Sequence, residues 1–294
     1  MGIKQNIQWF PGHMAKTRRK LKEDIKLVDM VVEILDARIP ISSRNPEIMS
    51  IINNKPHIIL LNKSDMADKN ETLKWINYYK EKYGVNCIAV DCQSGKGLSE
   101  FLKCSENTLK EKMEVWKSKG MIGRKIRAMI VGVPNVGKSS FINRMSKNSK
   151  AKAEDRPGVT RGNQWFTVGN KMEMLDTPGI LWPKFDDEIV GRNLAFTGAI
   201  KDDILDVEDL AFKLIDLLRD RYITSIAQRY KLNESEIKEC ETLDLMNMIG
   251  KKRGMIISGG EVDIQRVSNM ILDEFRAAKI GKITLERVDE IEKH

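Results

Sequence analysis

Residues 128–141 read AMIVGVPNVGKSSF, and the rest of the chain is organised around them. The apolar run from Ala128 to Val131 predicts a buried strand, and the residues from Lys138 onward are compatible with a helix. Between them, the pattern Gly-x4-Gly-Lys-Ser is that of a phosphate-binding loop in its strand–loop–helix context. Glycines let consecutive backbone N–H groups point at a polyphosphate, and the helix N-terminus adds further N–H groups. The stretch therefore predicts that this chain binds a nucleoside triphosphate.

The same loop predicts individual contacts to the phosphates. We expect Lys138 to lie between the β- and γ-phosphates, and the Ser139 hydroxyl to ligate Mg²⁺. The predicted phosphate-binding residues are Asn135, Val136, Gly137, Lys138, Ser139, Ser140 and Gly179.

The composition of the 294-residue chain narrows the class of protein. Its length allows two domains and a substantial core. The cysteines Cys87, Cys92, Cys104 and Cys240 form no CxxC pair, which favours a reducing cytoplasm over a disulfide framework. No apolar run approaches membrane-spanning length, so no membrane span is expected. The formal net charge of +8 is compatible with a nucleic-acid partner.

The N-terminal arm is where this positive charge is most concentrated. No acidic residue precedes Glu23, and basic residues alternate there with Trp9, Phe10 and His13. Such a mixture suits RNA, because cations neutralise phosphates and aromatic rings stack on bases. An equally simple interpretation is a solvated tail whose aromatic residues dock on the core, and the two are compatible.

A motif for guanine recognition precedes the phosphate loop. The apolar run at 57–61 predicts a strand, which leads into Asn62-Lys63-Ser64-Asp65. The Asp65 carboxylate can accept hydrogen bonds from N1–H and the 2-amino group of guanine, an arrangement of donors that adenine lacks. Asn62 can reach N7, and the Lys63 stem can cover the ring face. After the next predicted strand, Asp91 and Cys92 line up with a Ser-Ala-Lys stretch in which a backbone N–H, here that of Cys92, contacts guanine O6.

Two segments after the phosphate loop predict switches that respond to the γ-phosphate. Residues 155–161 fit a flexible first switch, with the Thr160 hydroxyl available to Mg²⁺. A predicted strand then ends in Asp176-Thr177-Pro178-Gly179, where Asp176 would hold the metal through water and the Gly179 N–H would sense the γ-phosphate. Ser139, Thr160 and Asp176 are therefore the predicted magnesium residues.

The order of these motifs identifies a family. In ordinary small GTPases the phosphate loop and switches come before the Asn-Lys-x-Asp motif, whereas here they follow it, so the chain resembles the circularly permuted GTPases. Within that group, residues 9–16 (WFPGHMAK), 36–40 (DARIP) and 258–261 (SGGE) resemble the bacterial ribosome biogenesis GTPase A family, of the RbgA/YlqF type. The resemblance covers nearly the whole chain. It implies a GTPase with Mg²⁺ that acts in late assembly of the large (50S) ribosomal subunit and contacts its rRNA rather than DNA.

We therefore expect an α/β fold followed by a small helical domain. Residues 1–185 would form a circularly permuted P-loop GTPase domain with a doubly wound, mostly parallel sheet, because strand pairing does not depend on chain order. Residues 186–201 would form a linker and 202–294 an all-α domain for rRNA or ribosome binding. Residues 250–254 (GKKRG) form a basic loop that is either a solvated turn or a phosphate contact. Because the linker is short, we expect movement at Gly179 to reach the helical domain.

The γ-phosphate chemistry lacks one expected residue. Position 180, where a glutamine would orient the attacking water, is Ile180. The family-like N-terminal motif suggests His13 as the catalytic residue, since a neutral imidazole can accept from water; alternatively, His13 packs or binds RNA. Arg161 is a candidate for neutralising transition-state charge.

An asparagine at position 135 of the phosphate loop resembles the potassium-dependent GTPases. This resemblance implies that the Asn135 amide oxygen ligates K⁺, although the side chain could instead only stabilise the loop.

Two functions are consistent with these residues. The first is a GTPase stimulated by the large ribosomal subunit. The second is an RNA-binding placeholder whose nucleotide is a structural ligand with incidental turnover, and Ile180 is the residue that favours it.

Overall fold

The computed structural model describes residues 11–52, 54–147, 164–179, 181–182 and 187–291, with side chains from Lys16 onward except that of residue 147. The chain divides into two units, one of Met1–Asp186 together with Thr284–His294, and one of Asp187–Ile283. Among the described residues, no helix has the length and apolar character needed to cross a membrane.

The first unit is built on a six-stranded sheet. Its strands are β1 (Met30–Asp36), β2 (His57–Asn62), β3 (Asn86–Ala89), β4 (Ile126–Val131), β5 (Trp165–Val168) and β6 (Met172–Asp176). They lie in the order β3-β2-β1-β4-β6-β5, and every neighbouring pair is parallel except β5 with β6. All of β1 is buried, as expected for a central strand covered on both faces. The predicted mostly parallel sheet is confirmed.

Helices surround this sheet. They are α1 (Pro11–Asp24), α2 (Pro46–Ile52), α3 (Lys69–Tyr83), α4 (Leu98–Thr108), α5 (Lys110–Ser118) and α6 (Lys138–Lys147). Residues of α1 and α2 share one apolar cluster with Val31 and Met129, and α3 contributes Trp75 and Tyr79 to a second cluster with Leu35. These clusters anchor the strands whose ends carry the predicted site.

The second unit is helical. It contains α7 (Glu188–Phe196), α8 (Val207–Arg221), α9 (Ile223–Tyr230), α10 (Glu234–Glu239), α11 (Thr242–Lys252) and α12 (Ile264–Arg276). The helix α7 occupies much of the segment 186–201 that the sequence analysis assigned to a linker. It forms there because the Asp187 carboxylate caps it, accepting a hydrogen bond from Ile189 N–H at 2.7 Å, and because Leu194 and Phe196 are buried.

The chain then returns to the first unit. The Leu285 N–H donates to the Arg38 carbonyl at 2.8 Å, and the final helix α13 (Val288–Ile291) places Val288 in the apolar cluster of Trp75. This differs from the expectation that 202–294 form one helical domain. A segment this short has too little hydrophobic periodicity to predict where it packs.

Candidate functional site

The predicted site residues follow parallel strands and lie at one edge of the sheet. Asp36 and Asn62 end β1 and β2, Asp91 follows β3, Gly132 follows β4, and Asp176 ends β6. Carboxyl ends of parallel strands meet at the same edge, where α/β proteins bind their ligands. Since β4 lies between β1 and β6, the phosphate loop stands between the guanine motif and the second switch.

The phosphate loop has a conformation that its residue types make possible. A Cβ on Gly132 would lie 2.5 Å from the Ile34 carbonyl oxygen, and one on Gly137 would lie 2.2 Å from Asn62 Nδ2. Neither position has room for a side chain. Asn135 has φ +60°, in the left-handed region that asparagine tolerates better than most residues. Gly132 is therefore required by the close approach of the Ile34 backbone, and Gly137 by that of the Asn62 side chain.

Lys138 lies inside this loop. Its ammonium donates to the carbonyl oxygens of Gly132 and Val133, both at 2.9 Å. Burial lowers the pKa of Lys138 to about 8, and the nearby Asp176 carboxylate opposes that shift. A phosphate entering the loop would compete with these carbonyls for the ammonium and would favour its charged form.

Asn62 ties the phosphate loop to the base-recognition loops. Its Nδ2 donates to the Val136 carbonyl at 2.7 Å, and its Oδ1 accepts from the Cys92 N–H at 3.3 Å. One buried amide thus connects three segments of the site. Both atoms bond to protein groups here, so the contacts expected between Asn62 and guanine N7, and between Cys92 N–H and O6, stay predictions.

Lys63 is held by a carboxylate that the sequence analysis did not select. Its ammonium donates to Asp36 Oδ2 at 2.8 Å, while Arg38 Nε and Nη2 donate to the two oxygens of Asp36 at 2.9 and 2.8 Å. Burial would raise the pKa of Asp36, but the charges of Arg38 and Lys63 hold it well below its usual range. Asp36 and Asn62 are register partners in β1 and β2. The Asp-Ala-Arg motif at residues 36–38, at the end of β1, was the sequence signal that could have indicated this contact.

The remaining guanine-motif residues have different surroundings. Asp65 is half-buried on the loop after β2, whereas the Asp91 Oδ1 accepts from the N–H groups of Gln93 and Ser94 at 2.8 and 3.2 Å. The Asp91 side chain therefore shapes its own turn. Burial raises the pKa of the Cys92 thiol to about 12, with smaller contributions from the charges of Asp91 and Asp65. The thiol stays protonated at neutral pH.

Asp176 has the properties of a metal-site carboxylate. Its Oδ1 is buried and has no hydrogen-bond partner among the described residues, and burial raises its pKa against the effect of Lys138. Ser139 and Ser140 lie exposed in the first turn of α6. Oxygen donors of this kind fit Mg²⁺, which keeps few protein ligands and several waters. The described part of the chain has no group of three or more histidine, cysteine or acidic side chains able to hold a metal.

The turn after β6 passes close to the phosphate loop. A Cβ on Gly179 would lie 2.9 Å from Pro134 Cα and 3.0 Å from Lys138 Nζ. The Thr177 hydroxyl donates to the Ile130 carbonyl at 2.6 Å, which fixes the start of the turn to β4. The backbone of Gly179 is therefore near the position expected of a γ-phosphate sensor.

Other predicted residues lie where the structure gives no side-chain description. His13 is in the first turn of α1, but its side chain is outside the described set. Thr160, Arg161 and Ile180 also lie outside the described residues. Their roles stay predictions.

Comparison with known proteins places these motifs in context. Residues 127–252 match a family model described as "50S ribosome-binding GTPase". The match begins in β4 and includes the phosphate loop and the second switch, while Asn62 and Asp65 precede it, in agreement with the permuted motif order.

Similar chains span nearly the whole sequence. Ribosome biogenesis GTPase A of Priestia megaterium is 51% identical over 287 residues, covering 97% of this chain and 98% of that protein. Ribosome biogenesis GTPase A of Thermotoga maritima is 31% identical, covering 97% and 96%. The GDP-bound structure of TM YlqF has a TM-score of 0.64 at 28% identity, covering 92% of this chain and 100% of that one. The GNP-bound YlqF from T. maritima has a TM-score of 0.62 at 28% identity, covering 92% and 98%.

Proposed function

This chain belongs to the ribosome biogenesis GTPase A family, and from that membership we propose that it acts in late maturation of the large (50S) ribosomal subunit, which stimulates its GTP hydrolysis. The family makes it a GTPase of ribosome biogenesis, with GTP as substrate and Mg²⁺ as the usual metal. The description of the matching family model supports the large subunit as partner. A ribosomal partner places the protein in the cytoplasm. The observation that carries the nucleotide assignment is the Asn62 side chain, which joins the phosphate loop to the base-recognition loops.

The base is recognised at the ends of β2 and β3. Asp65 accepts from N1–H and the 2-amino group of guanine, and adenine cannot supply both donors. The Lys63 stem covers the ring face, because Asp36 holds its ammonium in place at 2.8 Å. Asn62 and the Cys92 backbone complete the edge of the pocket.

The phosphates bind where the loop N–H groups and Lys138 converge. Backbone N–H groups from Asn135 through Ser140 surround the β-phosphate, and Lys138 exchanges its carbonyl partners for phosphate oxygens. Ser139, Thr160 and Asp176 would hold Mg²⁺, which when bound would supply positive charge to neutralise the phosphates. The Gly179 N–H contacts the γ-phosphate, so loss of that phosphate frees the turn after β6.

The attacking water needs a partner other than residue 180. The Ile180 side chain has no hydrogen-bonding group, so we assign the orientation of water to His13, whose neutral imidazole accepts a proton near physiological pH. The Asn135 amide oxygen would supply one ligand of a K⁺ ion. Arg161 is the alternative source of positive charge.

Ribosomal RNA contacts basic residues at the end of α11 and in the N-terminal arm. Lys251 and Lys252 are exposed at the end of α11, whereas Arg253 donates to Glu274 at 3.2 Å within the helical unit. Exposed lysines at a helix end can neutralise phosphates without a new conformation. The basic N-terminal arm, with Trp9, provides a second contact to RNA.

The test is GTP turnover with purified immature large subunits, with small subunits as the matched control. We expect large subunits to raise the rate by at least about tenfold, equivalent to about 1.4 kcal/mol of barrier, and small subunits to leave it unchanged. Binding to large subunits without any rate increase would favour the placeholder function.

A further inference from the structure

The C-terminal segment, residues 284–291, contacts the loops that follow β1 and β2. The Thr284 hydroxyl accepts from the Asp68 N–H at 3.0 Å, and Asp68 caps α3 immediately after the loop that carries Asp65. The Leu285 N–H donates to the Arg38 carbonyl at 2.8 Å. The segment is thus attached to the loop that carries Asp65 and to the neighbouring loop after β1, although it lies more than two hundred residues away in the chain.

Glu286 makes the strongest of these attachments. Its carboxylate accepts from the N–H groups of Ile41 and Ser42 at 2.6 and 2.9 Å, and the Ser42 hydroxyl also donates to it. Its backbone carbonyl accepts from Trp75 Nε1 at 3.0 Å, which fixes the residue to α3. Hydrogen bonds to an ionised carboxylate are roughly twice as strong as neutral ones. One acidic side chain therefore holds the loop that follows β1.

Hydrogen bonds connect that loop, through Asp36, to Lys63, the side chain expected to cover the base. The Ser43 hydroxyl accepts from the Asp36 N–H at 3.0 Å and donates to the Ile39 carbonyl at 2.7 Å. Asp36 in turn accepts from the Lys63 ammonium. A shift of the loop at Glu286 would therefore move Asp36, and with it Lys63.

Besides its bond to Asn62, the phosphate loop has supports of its own. Its ends belong to β4 and α6, and Lys138 is bonded to carbonyls of the same loop. A perturbation at Glu286 consequently reaches the base contacts before it reaches the phosphate contacts.

We propose that Glu286 is a positioning residue for guanine recognition, which holds the loop at 36–42 so that Asp36 keeps Lys63 over the base. This inference rests on the proposed assignment of Lys63 and Asp65 to guanine. It makes a segment beyond the helical unit part of the base-specificity apparatus of the GTPase unit.

The test compares Glu286→Ala and Glu286→Gln with Asp289→Asn, a matched control in the same segment whose carboxylate pairs with Lys74 at 2.8 Å. Steady-state GTP hydrolysis gives kcat and KM, competition binding gives the preference for GDP over ADP, and thermal melting reports folding. We expect Glu286→Ala to raise KM about tenfold and to reduce the GDP preference about tenfold, with kcat within about twofold. Glu286→Gln keeps an acceptor oxygen and should give a smaller change, while Asp289→Asn should match the unmodified protein.

A purely structural role predicts a different pattern, in which base preference is unchanged and activity falls only in proportion to the unfolded fraction. That pattern would overturn the proposal. If Glu286→Ala does not fold, Ser43→Ala interrupts the same path and must show the same loss of base preference. An unmodified protein that binds ADP as tightly as GDP would instead refute the guanine assignment itself. If the unmodified protein prefers GDP to ADP and the Glu286 and Ser43 variants keep that preference, only the positioning role is refuted.

Discussion

Replacing Asn62 with alanine tests whether one amide holds the nucleotide site together. Asn62 is 3% exposed, so water cannot replace its two bonds, to the Val136 carbonyl at 2.7 Å and from the Cys92 N–H at 3.3 Å. The first bond is well formed and the second is long. A net hydrogen bond contributes about 0.5–1.5 kcal/mol, and each buried group left without a partner costs about 1–3 kcal/mol. We therefore expect a total effect of about 2–4 kcal/mol.

Part of that free energy should appear as faster nucleotide release. The phosphate loop and the Cys92 loop lose their common connection, so both sides of the bound nucleotide become less well ordered. If all of the about 2–4 kcal/mol appeared there, the release rate would be roughly 30-fold to 1000-fold higher, since each 1.4 kcal/mol is a factor of ten, and this is the upper bound of the expected increase. Stopped-flow displacement of a fluorescent GDP analogue measures this rate.

Two controls separate an effect on nucleotide binding from an effect on the stability of the fold. Ser64→Ala removes a hydroxyl that donates to the Val90 carbonyl at 3.0 Å in the adjacent loop, without touching the phosphate loop connection, and should change release by less than about tenfold. Urea unfolding of the nucleotide-free variants measures the stability component. Release from Asn62→Ala within about twofold of the unmodified rate would show that the bridge does not support nucleotide binding.

The other predictions concern base choice, pH, potassium and coupling. Asp65→Asn should weaken GTP binding by about 1–3 kcal/mol and favour xanthosine triphosphate, as measured by competition; unchanged preference would refute the role of Asp65. Because the pKa of Lys138 is lowered to about 8, GDP affinity should fall as pH rises through 8. The nucleotide-free protein should instead gain stability between pH 8 and 10.5, because only the unfolded chain keeps the Lys138 proton in that range. Titration calorimetry measures the first trend and urea melts the second, and both trends should be flattened in Lys138→Gln. Exchanging Na⁺ for K⁺ at fixed ionic strength should accelerate hydrolysis, and Asn135→Ala should abolish that acceleration with GDP binding retained; equal rates in both salts would exclude the potassium site. A long Gly/Ser insertion just before Asp187 should reduce the difference in large-subunit affinity between GTP-like and GDP states, measured by co-sedimentation, and an undiminished difference would show that coupling takes another route.

The parts of the site that could be predicted are those whose residue types are imposed by ligand chemistry. Polyphosphate binding demands the glycines and the lysine around Gly137, and guanine demands an acceptor such as Asp65. Parallel strands then bring those motifs to one edge whatever their order in the chain. The sheet order confirms that reasoning.

The parts that could not be predicted depend on contacts between distant segments. The bond between Asp36 and Lys63 follows from the register of β1 against β2, and a single sequence does not reveal register. Glu286 lies in a short polar stretch with nothing to indicate its partner loop. The helix at Glu188–Phe196 was missed because Pro183 and the acidic residues before the helix suggested a linker, although Asp187 is a suitable N-cap.

The return of the chain at Thr284 has a consequence for synthesis. This segment is translated after the whole of the helical unit, Asp187–Ile283, yet it packs against loops made near the beginning. At about 5–20 residues per second, the helical unit delays its arrival by roughly 5–20 seconds. During that interval the nascent GTPase unit has its phosphate loop but lacks Glu286. On the proposed role of Glu286, a growing chain holds guanine nucleotides only weakly, and its full affinity appears after translation has passed the helical unit.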